Sequence, residues 1–204
     1  MKIPGSVTLL KASLSQKLHK NLQGKDGDPQ LAALRQYLQV LSSTLNSDDV
    51  ILDVGSGRGV LADSMQKIWK DSPRLPWYYA VDLDELLYDL NLPREIHNHS
   101  RKILFSEFLN AQLPCNLKQV KVIVIRNTFH ELNIKITAEV LIALRKITRF
   151  GAVVYLQDME NLPQGERENA GWHSKLLKPV LEQVGFECGV ANREKVVLGY
   201  IGIQ

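Results

Sequence analysis

The sequence predicts an α/β protein built on a doubly wound, mostly parallel sheet, and three observations carry that reading. A short apolar run, Val50 to Val54, leads into glycines at alternate positions, and Leu61 to Trp69 follows with helical spacing. Apolar, β-branched strands then alternate with helical segments, as in sheets covered on both faces. Two last strands, Glu187 to Ala191 and Lys195 to Ile203, flank a short turn at Asn192, so they read as a hairpin with one antiparallel strand.

The elements follow in chain order. Residues 1–25 carry Lys2, Lys11, Lys17, Lys20 and Lys25 and no acid, while Leu10, Leu14, Leu18 and Leu22 recur every four residues. That pattern is a basic amphipathic helix. It has three readings: a surface helix packed on the domain, part of a substrate lid, or a targeting or membrane-surface segment. Asn21 to Pro29 is polar with two glycines and a proline, a linker by composition. The expected division is therefore a helical extension or lid over residues 1–29 and one domain over 30–204. Gln30 to Leu45 has leucines at helical spacing and precedes the first strand. Trp77 to Val81 is a strand ending at Asp82, Asp84 to Leu90 a short helix and Ile103 to Phe105 a brief strand. Val120 to Ile125 and Ala152 to Leu156 are strands, and Thr137 to Thr148 and Trp172 to Val184 are helices.

At 204 residues the chain suits a single domain with a full core. It is 45% hydrophobic and 23% charged, a globular and soluble composition, and no apolar run approaches the ~20 residues of a membrane span. A net charge of +3 is too mild to imply nucleic acid by itself. Cys115 and Cys188 have no paired spacing, so free thiols in a reducing, cytoplasmic setting are expected. Nothing resembles a metal-ligand cluster, and no metal is expected.

The stretch Asp53-Val54-Gly55-Ser56-Gly57-Arg58-Gly59 carries the functional reading. Glycines admit positive φ and let a ligand lie against bare main chain. The following helix offers unpaired N–H groups and a positive dipole end. A dinucleotide turn would read G-x-G-x-x-G, but Val60 stands in the third glycine's place. Asp53 would also repel a pyrophosphate, whereas it suits an ammonium group. Asp82 ends the second strand, where an acid can accept two ribose hydroxyls; the competing reading is a helix-capping aspartate.

The pattern D-x-G-x-G-x-G resembles motif I of the class I S-adenosylmethionine-dependent methyltransferases, and the resemblance runs from about Gln30 to the C-terminus. It implies a seven-stranded sheet of order 3-2-1-4-5-7-6, with helices on both faces and the last strand antiparallel. It implies S-adenosyl-L-methionine as cofactor, with Asp53, Gly55, Gly57 and Gly59 at its amino acid end and Asp82 at its ribose. The family often places an acid or amide after the third strand against the adenine amino group, which points to Glu107. It places the residue after the fourth strand, here Asn127, near the reactive methyl.

The fourth strand runs on as Arg126-Asn127-Thr128-Phe129-His130-Glu131-Leu132. Methyltransferases of exocyclic base nitrogens usually carry N/D-P-P-Y/F here, and this chain lacks both prolines. Phe129-His130-Glu131-Leu132 looks instead like the Leu-His-Asp-Trp stretch of small-molecule O-methyltransferases, where the matching histidine is the general base. An imidazole near pKa 6.5 can take a hydroxyl proton. Leu132 replaces the tryptophan and no large N-terminal dimerisation domain is present, so a structural role for His130 stands beside the catalytic one. Trp172 can wall an acceptor pocket, and Glu131 and His173 can contact the acceptor. Asp158-Met159 does not match the Asp-Asn pair of magnesium-dependent catechol methyltransferases.

The expected function is methyl transfer from S-adenosylmethionine to a small molecule, O-methylation favoured, or to a protein side chain. Nucleic acid is a less favoured partner, as an RNA methyltransferase using the basic N-terminal segment for phosphate contacts. A catalytically inactive methyltransferase-like interaction module is a third reading.

Overall fold

The computed structural model describes residues 29–158, 174–191 and 196–200. The basic N-terminal stretch, the Asn192 turn and the loop holding Trp172 and His173 lie outside the described residues.

Helix α1 (Pro29–Leu41) precedes β1 (Val50–Val54), then α2 (Val60–Trp69), β2 (Trp77–Asp82), α3 (Asp84–Asp89), α4 (Arg94–His97), β3 (Ser100–Leu104) and α5 (Phe105–Leu109). A 3-10 turn at Leu117–Gln119 leads to β4 (Val120–Arg126), another at Phe129–Glu131 to α6 (Ile134–Thr148) and β5 (Val153–Gln157). Helix α7 (Ser174–Gln183), β6 (Glu187–Ala191) and β7 (Val196–Tyr200) follow. The strands form one seven-stranded sheet of order β3-β2-β1-β4-β5-β7-β6. Neighbours from β3 to β5 are parallel, and β7 runs antiparallel to both β5 and β6. The expected strand order and hairpin are both present.

Each sheet face has its own core, because side chains alternate along a strand. On one face, Ile51, Tyr78, Val122 and Tyr155 pack under Leu34, Tyr37 and Leu38 of α1 and Met65 of α2. Tyr37 meets Tyr155 ring to ring at 4.9 Å, and burying Leu34 and Leu38 stabilises α1 by roughly 1.5–3 kcal/mol each. On the other face, Leu52, Val54 and Ile123 pack under Val140, Leu144 and Ile147 of α6 and Leu181 of α7.

Boundaries moved where side chains cap helices. Helix α6 starts at Ile134, three residues ahead of its expected start, because Asn133 accepts from the Ile136 N–H at 3.0 Å. The third strand is Ser100–Leu104, and Phe105 opens α5, which had not been expected. The Glu107 carboxylate accepts from the Leu104 N–H at 3.0 Å and fixes that early switch. Helix α1 stops at Leu41, and Leu45 is buried from the turn that follows. Lys102 donates to the carbonyls of Leu87 and Leu90, covering the free end of α3.

Cys115 and Cys188 are free and half-buried. Burial pushes both thiols up, Cys188 to about 12, so neither is a ready nucleophile. Among the described residues, no helix is long and apolar enough to cross a membrane and no group of three or more His, Cys, Asp or Glu side chains could hold a metal ion.

Candidate functional site

Strand order reverses direction between β1 and β4, and in open α/β sheets ligands collect in the crevice outside the carboxyl ends of the strands at that switch. The glycine turn, the end of β2 and the loop after β4 all meet there.

Gly55, Gly57 and Gly59 all have positive φ, at 76°, 48° and 80°. The turn is fastened across the sheet, since the N–H groups of Gly55 and Ser56 both donate to the Val81 carbonyl, at 2.9 and 3.2 Å. Gly55 and Gly57 serve different ends. A methyl group at Gly55 would sit 2.6 Å from Thr128 Cγ2, so the missing side chain lets β1 pack on the loop after β4. A methyl group at Gly57 would meet nothing within 4 Å among the described residues. Its bare main chain faces open space.

Asp82 is 7% exposed and organises this turn. Its Oδ2 accepts from the Gly57 N–H at 2.8 Å and its Oδ1 from the Leu83 N–H at 2.9 Å. The N-cap of α3 is Leu83, so Asp82 is not that helix's cap. A carboxylate has about four acceptor positions, so each Asp82 oxygen keeps one for a hydroxyl donor. Leu83, the residue after β2, and Leu104, which pairs with Asp82 from β3, are 59% and 39% exposed. They give the crevice an apolar shelf beside the acid, and sequence reasoning missed both.

Asp53 lies beneath the turn, 4% exposed on the α1 and α2 side of the sheet. Tyr78 donates its hydroxyl to Asp53 Oδ2 at 2.7 Å. Burial pushes the Asp53 carboxyl up to about 7; the Tyr78 bond and Arg126 oppose that rise, and Asp82 adds to it. Burial and the Asp53 charge likewise drive Tyr78 well above its ordinary value. Tyr78 therefore keeps its proton, while the Asp53 carboxyl titrates close to neutral pH.

Asn127 adopts φ 52° just past β4, and its N–H donates to the Gln157 carbonyl at 2.9 Å. Its Oδ1 and the Ser56 hydroxyl are buried with no hydrogen-bond partner among the described residues. His130 is 3% exposed. Asp158, fully buried one residue past β5, accepts from the His130 N–H at 2.9 Å and holds Nδ1 at 2.6 Å. A carboxylate at Asp158 accepts from Nδ1–H, and in that tautomer Nε2 is the acceptor nitrogen. Nε2 lies 3.9 Å from the exposed Glu131 carboxylate. Asp158 was not among the expected site residues; its position at the carboxyl end of β5 was the available signal. Glu107 is at the expected end of β3, with one oxygen engaged by Leu104.

The structure thus gathers Gly55, Gly57, Gly59, Asp82, Asn127 and His130 along one edge of the sheet, with Asp53 one layer below. A site for a nucleoside with a charged amino acid tail fits this donor set: a bare turn, an acid with spare acceptor positions, an apolar shelf and a buried carboxyl.

No protein-family model matches the sequence, and no curated protein is significantly similar to it. Solved structures are similar in fold. Human N-acetylserotonin methyltransferase in complex with S-adenosylmethionine superposes with a TM-score of 0.52 at 12% identity, over 99% of this chain and 60% of that one. A S-adenosylmethionine-dependent methyltransferase from Aquifex aeolicus gives 0.52 at 18% identity, over 96% of both chains. The DszA carbon methyltransferase gives 0.63 at 15% identity, over 96% of this chain and 59% of that one. The chain spans about 60% of the length of the human enzyme. Its fold is that of the class I S-adenosylmethionine-dependent methyltransferases.

Proposed function

We propose that the chain is a S-adenosylmethionine-dependent methyltransferase that methylates a hydroxyl of a small molecule. The observation that carries this reading is the Gly57 main chain, held open at the switch point by Asp82. Its φ of 48° favours glycine, and the space beside it leaves the main chain open to a ligand lying against the backbone.

In this reading Asp82 takes the ribose hydroxyls on its remaining acceptor positions, and Leu83 and Leu104 cover one face of the base. Glu107 keeps one oxygen for the adenine amino group. Gly55, Gly57 and Gly59 border the amino acid end, with the first N–H groups of α2 facing its carboxylate. Its ammonium group favours the ionised form of Asp53 below. Asn127 lies beside the reactive methyl.

S-adenosylmethionine supplies an already activated methyl group, so the protein's task is to orient two reactants. Such positioning is worth up to ~7–11 kcal/mol. His130 is the base: Asp158 holds Nδ1–H, and Nε2 takes the acceptor hydroxyl proton, for ~10²–10⁴-fold in rate. Glu131 contacts the acceptor.

The test is transfer of label from methyl-labelled S-adenosylmethionine to a panel of hydroxylated small molecules, with RNA and protein acceptors in parallel. Label on a small-molecule oxygen, lost in His130→Ala, is the expected result. Label on RNA alone, or no label on any acceptor with intact cofactor binding, overturns the O-methylation reading.

A further inference from the structure

Among the described residues the Asp53 carboxyl makes one hydrogen bond, accepting at Oδ2 from the Tyr78 hydroxyl at 2.7 Å. Asp53 stands opposite Ala80 in the parallel register of β1 and β2. Tyr78 lies two residues earlier on the same face, so its phenol reaches the acid diagonally across the strands. Both side chains are buried. Phenylalanine would fill the same space under α1 and α2; tyrosine adds a hydroxyl whose proton goes to the carboxylate. That bond fixes the carboxyl plane and leaves Oδ1 without a hydrogen bond, beneath the glycine turn.

The charges around this pair come from three elements. Asp82 on β2 and Asp63 on α2 place negative charge there, and Arg126 at the end of β4 places positive charge. Tyr37 of α1 stays neutral, because burial pushes its phenol far up. Burial outweighs these charges at Asp53, and the carboxyl titrates at about 7. A hydrogen bond to the charged form and a nearby opposite charge both favour ionisation. The Tyr78 hydroxyl supplies the first at all times. An ammonium group over the turn supplies the second only when a ligand brings it.

We propose that Tyr78 is a positioning residue for the charged end of the nucleoside: its hydroxyl orients Asp53 and steadies the carboxylate, so the site takes up an ammonium-bearing tail in exchange for the Asp53 proton and selects against a nucleoside without that tail. The proposal deepens the reading of the crevice as a cofactor site and rests on it. In the exchange the Asp53 O–H bond breaks, the proton leaves to solvent, and the ammonium group replaces its charge beside the carboxylate. Tyr78 keeps its own proton throughout and touches neither the methyl group nor the acceptor.

The test is calorimetric titration of the full chain with S-adenosylhomocysteine and with 5′-methylthioadenosine, a nucleoside thioether that lacks the amino acid tail. From pH 8 to pH 6 the wild type should bind S-adenosylhomocysteine about tenfold more weakly, and 5′-methylthioadenosine less than about twofold more weakly. Tyr78→Phe keeps the ring and loses the donor, which should raise the Asp53 carboxyl by about one pH unit. This variant should therefore bind S-adenosylhomocysteine about fivefold more weakly at pH 7, yet come within about twofold of the wild type by pH 8.5. A loss caused by damaged packing would not recover with pH. Asp53→Asn should remove the pH dependence, and thermal melting checks that both variants fold. The carbon chemical shift of the Asp53 carboxyl reads the same titration without ligand, and its midpoint should rise by about one pH unit in Tyr78→Phe. An unmoved midpoint overturns the proposal, as does one pH profile shared by both nucleosides or by wild type and Tyr78→Phe. Heat from S-adenosylhomocysteine without pH dependence removes this proposal alone; no heat from either nucleoside removes the cofactor reading and the proposal with it.

Discussion

Replacing Asp53 with asparagine should stabilise the protein more at pH 8 than at pH 5. The Asp53 carboxyl is buried, and burial lifts it from an ordinary value of 3.8 to about 7. The folded state therefore keeps a proton that the unfolded chain has released. Stability falls as pH rises wherever the folded state binds more protons, by up to ~1.4 kcal/mol per pH unit for one group. For this carboxyl the loss starts above the unfolded value near 4, runs through the folded value near 7, and then levels off. Between pH 5 and pH 8 it amounts to about 3 kcal/mol. Asparagine cannot ionise, and its amide oxygen still accepts from the Tyr78 hydroxyl. The difference in stability between variant and wild type, from urea unfolding at both pH values, isolates this one group from every other titration. A gain of about 3 kcal/mol for Asp53→Asn on going from pH 5 to pH 8 is expected. A difference that stays flat with pH would show that Asp53 is ionised in the free protein, and the reasoning from burial fails.

Other consequences follow from the site. Gly55→Ala should destabilise the fold by about 2–5 kcal/mol, from left-handed strain and overlap with Thr128. Thr128→Gly should recover only the overlap part; denaturant melts of the double variant check this. Gly57→Ala should cost only ~1–2 kcal/mol of stability yet abolish S-adenosylhomocysteine binding in calorimetry. Equal binding would show that no ligand approaches that backbone. Asp82→Ala removes the acceptor for the Gly57 and Leu83 N–H groups and should weaken cofactor binding at least tenfold while the fold persists; unchanged affinity refutes the ribose assignment. Asp158→Asn should cost about 2–4 kcal/mol and shift the His130 ring away from its Nδ1–H form. Nitrogen chemical shifts of the imidazole report the tautomer, and the same Nδ1–H form in both proteins would refute the role given to Asp158.

Most of the architecture was legible because its signals are local. Val50 to Val54 and Val120 to Ile125 are apolar runs too short for helices, and the alternate glycines between Asp53 and Val60 can only be a turn. The third strand and α5 were misjudged because the switch depends on one side chain, Glu107, reaching back to Leu104. Periodicity does not register such a bond. In the site, Asp82 was legible from its place at a strand end. Its work in tying down Gly57 was not, because that bond spans two strands. Asp158 escaped notice for a similar reason. It faces His130 only once β4 and β5 lie side by side, and an Asp beside Met159 gives no motif. Leu83 and Leu104 read as ordinary apolar residues until the fold left them exposed beside the acid.

Calorimetric titration of the full chain with S-adenosylhomocysteine tests the central claim most directly. The account requires saturable one-to-one heat that Gly57→Ala and Asp82→Ala each remove while their melting transitions remain cooperative. Absence of heat in the wild type, or heat undiminished in both variants, contradicts it.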